Sequence, residues 1–135
     1  MDDFLPAVTK PLTTYSTTSA PVTPARRIHR PAERQWQPMM IEGQRHPGFW
    51  IVPIVDDETG AWTSYWMRLD AGARSLLHTH TSTELLYITD GIYTDQDGTD
   101  IAAGEVVTFA AGSSHWSYSR DGCTVLVVTN SESSL

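Results

Sequence analysis

This 135-residue chain has one cysteine, nine basic side chains and no uninterrupted apolar run longer than stretches such as "VLVV" (Val125–Val128). Each shortage excludes something. A lone Cys123 forbids an internal disulfide and a thiolate zinc knuckle. Within "DGCTVLVV" it reads as a small buried strand residue. Apolar runs this short cannot span a bilayer, so no membrane partner is expected. The start, "MDDFLPAVTK", lacks the basic opening and apolar stretch of a secretory signal, which predicts a cytoplasmic protein. A net charge of −7 disfavours nucleic acid and anionic membranes. Four of the nine basic residues crowd into "RRIHRPAER" (Arg26–Arg34), but no aromatic or helical pattern accompanies them. That segment reads as a solvated join between a tail and a domain and not as a DNA-binding arm.

Helical periodicity is also missing. What is present divides the chain in two. Residues 1–25 are dominated by Thr, Ser, Pro and Ala, with few large apolar side chains to offset the entropy of ordering them. They predict an N-terminal arm that is flexible or bound to a partner, with an extended edge strand as the alternative. Residues 26–135 predict one domain, enough chain for a single core. From Trp36 onward, short runs alternate with period two: "QPMMI", "FWIVPIV", "AWTSYWMRLD", "SLLHTH", "ELLYIT", "GIYTD", "EVVTFA", "HWSYS" and "TVLVVTN". Turns such as "QDGTD", "AAGE" and "RDG" separate several of them. Many short strands with frequent turns predict an all-β sandwich or barrel.

Residues i and i+2 of a strand share a face, so His78 and His80 in "LLHTHTSTELLYI" point the same way. Glu84 opens the next strand and shares a face with Leu86 and Ile88. Inside a barrel, two imidazoles and a carboxylate would need a partner, because burying an unpaired carboxylate is costly. A metal cation is such a partner, and these ligands suit zinc, iron, manganese or nickel. His115, on a face with Ser117 and Ser119, is the fourth candidate. Three histidines and one glutamate leave coordination positions open, as in a catalytic or ligand-binding site.

Gly72–x5–His78–x–His80–x3–Glu84–x6–Gly91 resembles the first motif of the cupin superfamily at every fixed position. Gly104–x5–Ala110–x–Gly112–x2–His115–x3–Ser119 resembles the second, with Ala110 in place of the usual proline and Ser119 in place of a frequent asparagine. Neither departure removes a ligand. The resemblance spans roughly residues 36 to 130 and implies a double-stranded β-helix, or jelly-roll barrel, holding one divalent metal ion. The ligands it implies are His78, His80, Glu84 and His115.

The stretch from "LLYITDG" to "VLVV" is similar to the cupin domain of zinc-dependent anti-sigma factors and of small stand-alone relatives. Residues 1–35 show no helical zinc-binding domain, so a sigma-factor regulator is not expected. Likeness to diketone-cleaving dioxygenases implies Fe2+, with Zn2+, Mn2+ or Ni2+ as alternatives, and a small diketone or hydroxyketone substrate. Glu84 would then ligate the metal or act as general base. Tyr65, Met67, Leu86 and Ile88 are the expected pocket lining. Two other readings stay open: a non-oxidative isomerase or cyclase, and a small-ligand sensing module without catalysis. Trp62, Trp66, Leu85, Tyr87, Trp116 and Tyr118 alternate with the inward set, and an outer aromatic patch predicts a homodimer.

Overall fold

The computed structural model describes residues 25–56 and 61–130; the expected N-terminal arm falls almost wholly outside them. After a short 3-10 turn at Pro31–Glu33, eleven strands follow: β1 (Gln37–Ile41), β2 (Gln44–Asp56), β3 (Thr63–Leu69), β4 (Ala73–Arg74), β5 (His78–Thr79) and β6 (Glu84–Asp95). The remainder are β7 (Asp100–Ala102), β8 (Val106–Phe109), β9 (Ser114–His115), β10 (Ser117–Ser119) and β11 (Cys123–Thr129). The described residues contain no α-helix, and the expected all-β barrel is what forms.

Strand order is β1-β2-β3-β11-β6-β10-β4, with β7 and β8 also on β6, and β5-β9 form a separate ladder. The long strand β6 organises this arrangement. Up to Gly91 it pairs with β11 and β8; beyond Gly91 it pairs with β7 and β10. Gly91 has φ +75°, and a Cβ there would lie 2.2 Å from the Gly122 carbonyl oxygen and 2.8 Å from Cys123 Cα. Only glycine permits both that conformation and that approach.

Alternation sorts the side chains. Tyr65, Met67 and Leu69 of β3, Leu86 and Ile88 of β6, and Val125 and Val127 of β11 are buried in one core. Fully burying a Leu, Ile or Val contributes about 1.5–3 kcal/mol each. The outward aromatics are less bare than their pattern suggests. The guanidinium of Arg34 lies 3.9 Å from the centre of the Trp66 ring, and Arg68 stands over both Trp36 and Trp50. The basic segment is therefore partly docked on the outer face and not simply solvated. Trp62 and Tyr87 are the outward aromatics left exposed among the described residues.

Candidate metal centre

Strands β5 and β9 pair with His78 directly opposite His115, and β5 continues into His80. One ring nitrogen from each of His78, His80 and His115 lies within 4.8 Å of the other two. Ring centroids are 4.8–5.0 Å apart in all three pairs. The turn "AAGSS" fixes this meeting, because the His80 N–H donates to the Ser113 carbonyl and the Gly112 N–H to that of His80, at 2.8 and 2.7 Å. The alanine where proline was expected still supports the turn: the Ser113 N–H and hydroxyl both donate to the Ala110 carbonyl, at 3.1 and 2.6 Å.

The rings are oriented by what their far nitrogens bind. His115 Nδ1 is 2.8 Å from Asp95 Oδ1, and His78 Nδ1 is 2.8 Å from the Leu76 carbonyl. Both acceptors favour N–H at Nδ1, which leaves Nε2 with a free lone pair. The Nε2 atoms of His80 and His115 are buried without any hydrogen-bond partner. Buried imidazole nitrogens normally have one, so this cluster can hold a metal ion. Burial, together with the neighbouring histidines, pushes His80 down to about 4, and burial also lowers His78. Both are therefore neutral and able to ligate near pH 7.

Glu84 is buried beside the cluster but not inside it. Its Oε1 lies 3.8 Å from His80 Nδ1, and it is not one of the three converging groups. Burial pushes its carboxyl up to about 7. At neutral pH it is thus poised between acid and base.

A cavity of about 420 Å³ opens from this cluster, lined directly by His78 and Glu84. Of the expected pocket residues, Tyr65 and Met67 line it, whereas Leu86 and Ile88 are fully buried in the core and do not. The period-two pattern identifies the inward face but not where along the barrel the cavity stops. Tyr65 and Tyr93 share this cavity but differ. The Tyr93 hydroxyl donates to Ser117 Oγ at 2.6 Å; the Tyr65 hydroxyl is buried with no partner. Burial, with Glu84 nearby, raises Tyr65 well above the usual phenol range, so it remains a donor.

Sequence reasoning missed three participants. Asp95 reaches His115 because β10 pairs with the end of β6, a long-range event with no local signal. Phe109 stacks on His80 at 5.3 Å and nearly parallel, and tilts onto His115 at 4.2 Å. His46 lines the cavity from β2; the Pro-Gly that follows it, breaking a strand pattern, was the available signal.

Several solved structures share this architecture. A candidate acetylacetone dioxygenase from Methylibium petroleiphilum superposes with a TM-score of 0.67, over 82% of this chain and 81% of its own, at 11% identity. The polyketide cyclase RemF from Streptomyces resistomycificus gives 0.66 over 80% of each chain, at 17% identity. A chain from the Rhodobacter sphaeroides complex of SigE with the anti-sigma ChrR gives 0.61 over 75% of this chain and 51% of its own, at 16% identity. At such identities the common property is the fold. No curated protein sequence matches the chain. The family model described as the ChrR cupin-like domain matches residues 24–132. With its jelly-roll strands and its histidine cluster, the chain belongs to the ChrR cupin-like family of the cupin superfamily.

Proposed function

We propose that this protein is a metal-dependent enzyme, a non-haem iron dioxygenase acting on a small diketone or hydroxyketone. The observation that carries this reading is the pair of buried, partnerless Nε2 atoms on His80 and His115, beside His78 at the wall of a 420 Å³ cavity. That volume lies within the range of small-molecule sites. Fold likeness to a candidate acetylacetone dioxygenase supports the substrate class.

His78, His80 and His115 would hold the ion, with Glu84 close enough to join them or to stand beside the substrate. Iron bound there would supply Lewis acidity and a route for electrons to oxygen. The chain supplies the rest. Glu84, with a pKa near 7, accepts the acidic proton between the two carbonyls of a diketone. The Tyr65 hydroxyl donates to a substrate oxygen that gains negative charge as that proton leaves. Met39, Phe49 and Met67 give the cavity apolar walls.

A second reading is a Lewis-acid isomerase or cyclase using Zn2+, Mn2+ or Ni2+. It is favoured by the position of Glu84 outside the nitrogen cluster, where proton transfer alone is served, and by fold likeness to RemF. A sensing module would bind ligand and form no product. Metal analysis of protein purified without chelator or affinity metal, beside a His78→Ala, His80→Ala double mutant, tests the site. Iron lost in the mutant, with oxygen uptake on diketones, supports the dioxygenase; zinc with oxygen-independent turnover supports the cyclase. A homodimer through the edge strand β1, where Met40 is exposed, is part of the same proposal. A monomer mass by light scattering at micromolar concentration would overturn it.

A further inference from the structure

Strand β2 carries a distortion. Between the pairs Pro38–Trp50 and Met40–Arg45, a single β1 residue, Met39, faces four residues of β2, His46 to Phe49. A bulge gives up ladder hydrogen bonds and is characteristically found where a side chain is re-aimed beside a site. Here it turns both His46 and Phe49 inward, leaving them 7% and 3% exposed. Gly48 makes the bulge feasible: its φ is +81°, and a Cβ would sit 2.7 Å from Ala73 Cβ. Its carbonyl accepts the Asp70 N–H at 2.8 Å, anchoring the distortion to the end of β3.

The His46 ring packs on Phe49 at 4.3 Å and makes no hydrogen bond among the described residues. It is not one of the three converging histidines, yet it lines the same cavity as Tyr65 and Glu84. Its ring nitrogens are not among the fully buried unpaired polar atoms, so they stay reachable from the cavity. Its N–H and its lone pair face a space that a ligand can fill.

The cavity's charge adds a second, independent constraint. Among the described residues no lysine or arginine lines it, while Glu42 and Glu84 both do. A carboxylate or phosphate entering would leave water for a mostly apolar wall with no cation to pair it beyond the metal itself.

We infer that the cavity takes an uncharged substrate carrying a third polar oxygen, beyond the two presented to the histidine cluster, and that His46 hydrogen-bonds that oxygen. The inference rests on the reading of this cavity as a metal-dependent site, and it adds the substrate's charge and a specificity-determining residue.

Three five-carbon probes separate the possibilities: acetylacetone, 1-hydroxypentane-2,4-dione and 2,4-dioxopentanoate. Their binding to oxygen-free, iron-loaded protein is measured by calorimetry. The hydroxylated diketone is expected to bind about tenfold tighter than acetylacetone, the value of one hydrogen bond near 1.4 kcal/mol. The carboxylate probe is expected to bind more weakly than acetylacetone. His46→Leu should erase the preference for the hydroxyl while iron stoichiometry stays at the wild-type value, and His46→Gln, which keeps a donor, should restore part of it. Equal binding of the two neutral probes to wild type, tightest binding of the carboxylate, or a preference that survives His46→Leu would each overturn the inference and leave the metal site standing. Loss of iron in His46→Leu would make His46 a ligand and overturn it as well. If wild type holds no metal, or binds none of the probes, the underlying reading falls and takes this one with it.

Discussion

Two polar clusters lie buried in the same barrel, and they are built on opposite principles. In the first, Tyr93 donates to Ser117, the Ser117 N–H donates to Ser75 Oγ at 2.9 Å, and the Ser75 N–H donates to the Ser117 carbonyl at 2.8 Å. Ser119 completes that wall by donating to the Ile92 carbonyl at 2.6 Å. In the second, three histidines converge, with the outer nitrogens of His78 and His115 anchored and the inner nitrogens of His80 and His115 left unpaired. A closed hydroxyl network stabilises strand pairing between β4, β6 and β10. An unclosed imidazole cluster costs stability until something enters it. The contrast separates scaffold from site more sharply than burial does, since Ser117 and His115 are both nearly inaccessible.

Removing one of the three converging histidines should break the contrast most severely. His115→Ala is expected to lower metal affinity by at least about 100-fold, since even outer-shell changes reach that level. Metal titration by calorimetry checks this, and the metal-free variant should be no less stable than metal-free wild type by more than about 1 kcal/mol.

Glu84 gives the next largest effect, and its sign depends on pH. Its folded pKa of about 7 lies above the ordinary value of 4.5, so the folded state holds the proton more tightly. Metal-free protein therefore loses stability as pH rises from 4.5 through 7, by on the order of 3 kcal/mol in full. His80, depressed to about 4, opposes this: its contribution is present above 6.5 and is lost as pH falls toward 4. Glu84→Gln should be the more stable metal-free protein at pH 8 and should lose that advantage at pH 5. Urea midpoints at the two pH values decide it. If the difference is the same at both, the buried carboxyl is not the cause.

Asp95→Asn sharpens the comparison further. It keeps the shape but removes the charge that holds His115, so a 10–100-fold drop in metal affinity is expected with little change in the fold. Ser117→Ala is the converse test. Losing the Tyr93 partner in the closed network should cost about 1–3 kcal/mol of stability and leave metal affinity unchanged. A matching loss of metal affinity would show that the two clusters are one unit.

The sequence disclosed the strands and the paired histidines of the cluster because both are written in short-range spacing. Period-two alternation marks Tyr65, Met67, Leu86 and Ile88 as inward, and the fork of His78 and His80 needs only i, i+2 geometry. What stayed hidden depends on which distant strands meet. Asp95 lies twenty residues before the histidine it orients, and only the β6–β10 pairing joins them. The division of the inward residues between core and cavity was equally illegible, because it depends on depth along the barrel and not on side-chain facing. His46 escaped because its inward turn comes from a bulge that breaks the very alternation used to assign faces.

β6 begins with Glu84 beside His80 and ends with Asp95 against His115. Fully extended, those eleven steps would separate the two carboxylates by about 36 Å, yet both flank the same three rings. The strand bends back at Gly91 like a hoop around its contents. What this hoop conserves is a number. Exposed side chains along it, such as Tyr87 and Ile92, can be exchanged at modest cost, but inserting or deleting one residue between Glu84 and Asp95 would reverse the facing of one carboxylate. The hairpin from Asp95 to Asp100 lies outside the hoop, where an added residue reverses neither carboxylate. Variation in length should therefore collect in the turns of this fold and stop abruptly at β6.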